Sequence, residues 1–310
     1  MNARWQVVVT QPDGLGESPF WHPDEQMLYW VDIPGRQIRR CNVFTGSVQS
    51  WAMPAEPGCI APARTQGQDS GLVIALRDGI YRAPEWGGPL QQLVPATHDT
   101  VTTRFNDGKA DPIGRFWAGT MYEPRDAASA ELFSLDARGG RAPVLERKAG
   151  DATIANGLAW SPDTTTVYWT NTTDHVIRAW DWDAASNQMQ RGRVFRQFAC
   201  KPTDWQPGMP GYGGRPDGAS VDSQGNYWMA MFEGARVLKL SPAGDILADI
   251  ATPVRCPTMV CFGGDDLQTL YLTSARHGRP ADELAAMPHS GCVLAMRVDV
   301  PGLPVNFFVD

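Results

Sequence analysis

The chain has 310 residues, 43% of them hydrophobic, with a formal net charge of −7 and a pI near 5.3. No basic run marks a nucleic-acid surface, and no apolar stretch approaches the ~20 residues that a membrane helix needs. The opening MNARWQVVVTQ has no long apolar segment with a small-residue cleavage site, so a cytoplasmic protein is expected, without membrane or nucleic-acid partners.

Twelve Trp, 31 Gly and 25 Pro favour many short strands joined by tight turns. The six cysteines form no CxxC pair and are expected to be reduced and mainly buried. The five histidines show no HxxxH spacing, which argues against a local zinc cluster.

In chain order, aromatic-rich strands recur after turn signals. They are Leu28-Tyr29-Trp30-Val31, Leu72-Val73-Ile74-Ala75, Phe116-Trp117-Ala118-Gly119, Tyr168-Trp169-Thr170, Tyr227-Trp228-Met229-Ala230 and Leu270-Tyr271-Leu272-Thr273. Aligned on positions 30, 74, 117, 169, 228 and 272, the steps are 44, 43, 52, 59 and 44 residues. A second series follows the first: QIRRCNV, GIYRAP, ELFSLDA, VIRAWDWD, RVLKLSP and CVLAMRV, each with the period-two alternation of a half-buried strand. A repeat of ~45 residues has room for four strands and reads as a propeller blade. The six copies predict an all-β, six-bladed β-propeller over residues 1–310 as one domain. Sheet edges must be protected, so Trp5–Val9 and the C-terminal VNFFV are expected to pair within one blade and fasten the ring.

Polar residues recur ahead of these strands. Glu17 and Asn156 lie 13 residues before Trp30 and Trp169, while Asn106 and Asp217 lie 11 before Trp117 and Trp228. They head the segments ESPFW, NGLAW, NDGKA and DGASV, which should form the innermost strands of their blades. Four polar side chains would then converge at one end of the central channel. The alternative for Asn156 and Asp217 is turn capping, as Asn-Gly and Asp-Gly often do. A lone buried carboxylate is costly, and two together repel. A bound cation relieves both, and carboxylate and amide oxygens suit Ca²⁺, Mg²⁺ or Mn²⁺.

The segments LGESPFW (15–21), RFNDGKAD (104–111), WAGTM (117–121), ANGLAWSPD (155–163), PDGASVDSQGNYW (216–228) and CFGGDDLQTLYLTSAR (261–276) resemble the gluconolactonase, regucalcin and luciferin-regenerating family of six-bladed propellers. The resemblance implies one divalent metal ion in the channel, held by Glu17, Asn156 and Asp217. Ca²⁺ is the first expectation, with Zn, Mn, Mg or Fe as alternatives. It implies substrate contacts from Arg104 and Asn106, and a double role for Asp217 as ligand and catalytic base. Glu123 is a further substrate-binding candidate, although Pro124 stands where the family has a substrate-contacting Glu. The implied activity is hydrolysis of a sugar aldonolactone, gluconolactone or a pentonolactone such as xylono- or arabinonolactone. A calcium-binding regulatory propeller is the alternative. No GxSxG elbow or GxxxxGK[ST] loop is present. The Pro/Gly-rich stretch 200–216, ending at Asp217, is expected to lie over the channel mouth. There Trp205, Met209 and Tyr212 could form an apolar wall. No exposed amphipathic helix or heptad marks an oligomer contact, so oligomeric state stays open.

Overall fold

In the computed structural model, which describes residues 5–207 and 209–310, the repeats fold into six sheets built from antiparallel neighbours. The first strand, β1 (Gln6–Val9), lies outside the first of them. Blade 1 is β2 (Gly16–His22), β3 (Met27–Asp32), β4 (Gln37–Asn42) and β5 (Ser47–Ala52), and blade 2 is β6 (Pro57–Thr65), β7 (Gln68–Leu76), β8 (Gly79–Ala83) and β9 (Gln91–Pro95). Blade 3 is β10 (Thr103–Ala110), β11 (Phe116–Tyr122), β12 (Ala130–Asp136) and β13 (Val144–Ala152). Blade 4 is β14 (Ala155–Trp160), β15 (Thr166–Asn171), β16 (Val176–Asp183) and β17 (Gln188–Gln197), and blade 5 is β18 (Arg215–Val221), β19 (Tyr227–Phe232), β20 (Arg236–Leu240) and β21 (Ile246–Ala251). Blade 6 contains β22 (Pro257–Gly263), β23 (Thr269–Ser274) and β24 (Val293–Arg297), with a short helix α1 (Ala281–Ala286) between the last two. That helix is too short to cross a membrane.

The aromatic series forms the second strands and the alternating series the third, as the repeat predicted. Burial falls from the centre outward. Every residue of β2, β14 and β22 is buried, whereas β5 and β21 are half exposed. The innermost strands β2, β6, β10, β14, β18 and β22 each touch the next around the ring, and β22 touches β2. The molecule is therefore a closed six-bladed β-propeller.

Closure differs from the sequence expectation. β1 completes blade 6, pairing antiparallel with β24 through Gln6–Ala295, Val7–Leu294 and Val9–Val293. The C-terminal segment does not join it. Its last strand, β25 (Phe308–Val309), adds a parallel fifth strand to blade 2 beside Ala63 and Arg64. The physical reason is that blade 2 offers a free inner edge and a core pocket. Phe308 is fully buried there against Ala63, Phe105 and Phe116. Asp310 then accepts from Arg82 Nε at 2.8 Å and Thr65 Oγ1 at 2.6 Å. Between blade 6 and blade 2 the chain crosses the far end of the channel, where Ser223 N donates to Pro301 O and Asn306 Nδ2 to Ala110 O.

The aromatic alignment also needs correction. Trp117 pairs with Lys109 and Trp228 with Ser220, while Leu28 pairs with Trp21 and Val167 with Trp160 at the corresponding places. Trp30 and Trp169 therefore sit two residues further along their strands. The indoles reflect this offset. Trp117 and Trp228 bond Asp111 and Asp222 in the hairpin turns, but Trp30 bonds Asp13 at the opposite end. Counted from Leu28, Trp117, Val167 and Trp228, the four polar residues all lie 11 residues upstream.

The tail should be a structural clasp. Phe308→Ala should cost about 3–5 kcal/mol, the usual range for emptying a buried Phe site. This can be read as a lowered denaturant midpoint, and an unchanged midpoint would show that the tail only rests on blade 2.

Candidate active site

The inner strands that carry the four polar residues each break register once. The shift falls between Glu17 and Phe20 in β2, Phe105 and Gly108 in β10, Asn156 and Ala159 in β14, and Pro216 and Ala219 in β18. Such bulges re-aim side chains. Glu17 and Asn156 are the last paired residues before the shift, and Asn106 and Asp217 lie within it. The residues after Glu17 and Asn156 share a left-handed backbone, with φ of 50° at Ser18 and 63° at Gly157. Gly157 has no room for a β-carbon, which would collide with Tyr227 Oη and Thr170. Ser18 is held by Ile60 N, which donates to its Oγ at 3.0 Å. Asn156-Gly157 and Asp217-Gly218 are thus bulges inside strands, and the turn-capping alternative does not apply to them.

The bulges bring three blades into one hydrogen-bond relay. Arg104 Nη1 donates to Asn106 Oδ1 at 2.7 Å, and Asn106 Nδ2 donates to Asn156 Oδ1 at 2.9 Å. Asn156 Nδ2 donates to Thr172 Oγ1 at 2.8 Å, and Thr172 Oγ1 donates to Pro216 O at 2.8 Å, next to Asp217. The relay fixes both amides. Asn156 Oδ1 keeps a second lone pair for another partner.

The charges are poorly balanced. Glu17, Asp107 and Asp217 are all buried. Burial, then the charges of Asp217 and Asp107, hold the Glu17 carboxyl well above its ordinary range. Burial likewise raises Asp217, against the opposing pull of Arg215, and Asp107 raises it further. Glu17 Oε2 and Asp107 Oδ1 have no hydrogen-bond partner. Buried polar atoms are normally satisfied. These orphaned oxygens, with the fixed Asn156 oxygen, fit a hard divalent cation. Glu17, Asn156 and Asp217 could hold one.

Arg104 is buried, and its Nη2 donates to Met121 Sδ at 3.2 Å. Glu123 lies beside it, 3.8 Å from Arg104 Nε, and makes a bidentate pair with Arg77 at 3.0 and 3.1 Å. Two neighbours were missed in the sequence. Asp107, inside NDGKA, carries no signal of its own in the sequence, yet it accepts from Leu158 N at 3.0 Å and ties blade 3 to blade 4. Thr172, in the TNTT turn, carried no signal beyond its hydroxyl.

The 200–216 stretch does reach the site end, but not as an apolar wall. Trp205 is buried, donating to Met209 O at 2.9 Å and packing edge-on to Tyr212. Tyr212 Oη meets His175 Nε2 at 2.7 Å. Two other features lie elsewhere. A cavity of about 220 Å³ occupies the opposite half of the channel, lined by Lys109, Trp160, Phe262 and the tail segment 303–306. His22, Asp24 and Asp69 cluster near the far end of β2, but Arg64 already bonds both carboxylates, at 3.3 and 2.7 Å. Five cysteines are buried, Cys200 is exposed, and all six are free.

The comparisons agree with the fold. Residues 15–276 match the model of the SMP-30/Gluconolactonase/LRE-like region. This chain belongs to that family. A 6-deoxy-6-sulfogluconolactonase from Pseudomonas putida is 46% identical over 308 residues, covering 99% of each chain. Regucalcin from Danio rerio is 32% identical and covers 96% of each. Among solved structures, a calcium-binding protein, regucalcin, from Agrobacterium tumefaciens superposes with a TM-score of 0.88 at 24% identity, over 99% of this chain and 98% of that one.

The electrostatics make opposite predictions for the metal-free and metal-loaded protein. A carboxyl raised by burial favours the fold while protonated, and that contribution is lost as pH rises through its folded pKa. Metal-free protein should therefore lose thermal stability as pH rises from the acid range into neutrality. At neutral pH, Glu17→Gln and Asp217→Asn should each raise the metal-free Tm by about 2 °C or more. Both should abolish the further rise on adding Ca²⁺. Calorimetry checks this, and a full Ca²⁺-induced rise in both variants would remove these residues as ligands.

Proposed function

We propose that this protein hydrolyses a sugar aldonolactone to the aldonic acid, using a divalent cation held by Glu17, Asn156 and Asp217. It is a lactonase of the gluconolactonase type. The observation that carries the reading is the pairing of under-compensated buried carboxylates with the fixed Arg104–Asn106–Asn156 relay. Ca²⁺ is the preferred ion, because every proposed ligand atom is a hard oxygen. When bound, such an ion polarises a carbonyl and acidifies water.

The remaining roles belong to the chain. Asp217 Oδ accepts a proton from the attacking water as its oxygen bonds to the lactone carbonyl carbon, and returns it to the ring oxygen as the acyl–oxygen bond breaks. Burial and the Asp107 charge raise the Asp217 carboxyl in the metal-free protein, and a bound cation would draw it back to the ionised form that can accept this proton. Arg104 Nη1 is committed to Asn106 and Phe105 O while Nη2 makes one bond, to Met121 Sδ, so Nη2 has a donor left for the ring oxygen or a hydroxyl of the lactone. Asn106, expected to contact substrate, has both Nδ2 donors committed to Ala155 O and Asn156 Oδ1, so it holds Asn156 in place. The tail crossing the far end of the channel leaves the Glu17–Asp217 end as the entrance.

The Pseudomonas putida relative's name supports a hexonolactone, with a sulfonate at C6 in place of the hydroxyl. Glucono-1,5-lactone, its 6-deoxy-6-sulfo analogue, xylonolactone and arabinonolactone form the test panel, assayed after chelation and with Ca²⁺, Mg²⁺, Mn²⁺ or Zn²⁺ restored. Asp217→Asn should lower kcat by about 10²–10⁴. Arg104→Ala should lower kcat/KM by about 10- to 1000-fold while metal content stays at the wild-type level, since a guanidinium has no lone pair to offer a metal. Wild-type protein that opens no lactone above the spontaneous rate, with any of the metals, would overturn the reading.

A further inference from the structure

The channel mouth beside Asp217 carries cations that the hydrolysis above does not use. Arg215 lies two residues before Asp217 on β18, opposite Phe232, with its guanidinium 5.0 Å from that ring's centre. Glu233, the next residue, is buried. It accepts from Lys201 Nζ at 3.0 and 3.1 Å and from Arg279 Nη1 at 3.0 Å, and Arg215 Nη2 stands 3.6 Å away. Arg279 has its own partner in Glu283, through two bonds of 2.7 Å. Lys201 and Arg215 are left to share one carboxylate.

A further guanidinium approaches from blade 3. Arg125 follows β11 with a left-handed φ of 62° and is exposed. Among the described residues it makes no hydrogen bond or ion pair. Partial burial of its head group, then the charge of Arg215, lower its pKa, so Arg215 lies near enough for the two like charges to act on one another. Like charges held together repel unless an anion lies between them. Guanidinium groups from two blades at one channel mouth, beside the Lys201–Glu233–Arg215 cluster, suit an oxyanion, which each can bond through a planar pair of donors. Two residues of strand place Arg215 roughly 7 Å from Asp217. A six-membered lactone with one exocyclic carbon spans a similar length.

We propose that Arg125 and Arg215, with Lys201, form a subsite for a tetrahedral oxyanion, a sulfonate or phosphate, carried on the lactone at the end remote from its carbonyl. The subsite rests on lactone hydrolysis at Asp217. Glu233 organises the cations and keeps them from closing on the Asp217 carboxylate.

The test compares kcat/KM for glucono-1,5-lactone, its 6-phosphate and its 6-deoxy-6-sulfo analogue, in wild-type, Arg125→Gln and Arg215→Gln proteins. Arg215→Gln also changes the field at Asp217 and so affects all three lactones. The ratio of anionic to neutral substrate is therefore what is read. Wild type should favour an anionic lactone by about tenfold or more, and each variant should cut that ratio by about 10- to 100-fold. The sulfonate and phosphate arms show which oxyanion the site takes. A wild-type ratio near one, or a ratio unchanged in both variants, overturns the subsite while leaving the lactonase reading in place. If wild type opens none of the lactones, the lactonase reading fails by itself. Calorimetric binding of 6-deoxy-6-sulfogluconate then decides the subsite: loss of binding in Arg125→Gln supports it, and equal binding overturns it.

Discussion

Three carboxylates buried in one channel, with too little positive charge around them, are the constraint that organises this molecule. Glu17, Asp107 and Asp217 come from different blades, so no local turn or helix dipole can relieve them. Left ionised and unpaired they would oppose folding. The rigid ring keeps them together all the same. Register shifts in the inner strands aim them, Gly157 and Ser18 take left-handed conformations to allow it, and the Arg104–Asn106–Asn156–Thr172 relay locks the frame. Strain and repulsion of this kind concentrate at functional sites. Their compensation here is the proposed cation.

The ring itself is stabilised at its two ends by different means. The N-terminal strand completes blade 6 through backbone pairing, while the tail crosses the channel floor and inserts Phe308 into blade 2. The first arrangement covers the outer edge of β24. The second closes the far mouth and leaves a cavity of about 220 Å³ behind the site, where the Lys109 amine bonds Ala219 O and Ser220 Oγ. The proposed chemistry and its access thereby share one face. That is also the face where Arg125, Arg215 and Lys201 stand.

Much of this was legible in the sequence because blade repeats impose period-two burial and regular turns. The second and third strands of all six blades were visible, and Glu17, Asn106, Asn156 and Asp217 were placed on the innermost strands. Closure was less legible. Val7 and Phe308 are both strand-like, but the partner of each is chosen by a tertiary edge and pocket, and neither leaves a local trace. The tryptophans misled the alignment because Trp30 and Trp117 look alike while their indoles reach opposite ends of the sheet. Asp107 hid behind Asn106, since adjacent residues in a regular strand point to opposite faces and only the bulge brings both toward the channel. Trp205 looked like a substrate wall, but it is an anchor folded into its own loop.

The most direct test of the account is where a metal binds. Crystals grown with Mn²⁺ can be measured at a wavelength where the ion scatters anomalously. The account predicts one strong difference peak within bonding distance of carboxylate oxygens of Glu17 and Asp217 and the amide oxygen of Asn156. A peak only at His22, Asp24 and Asp69, or a channel without any peak at saturating Mn²⁺, would contradict it.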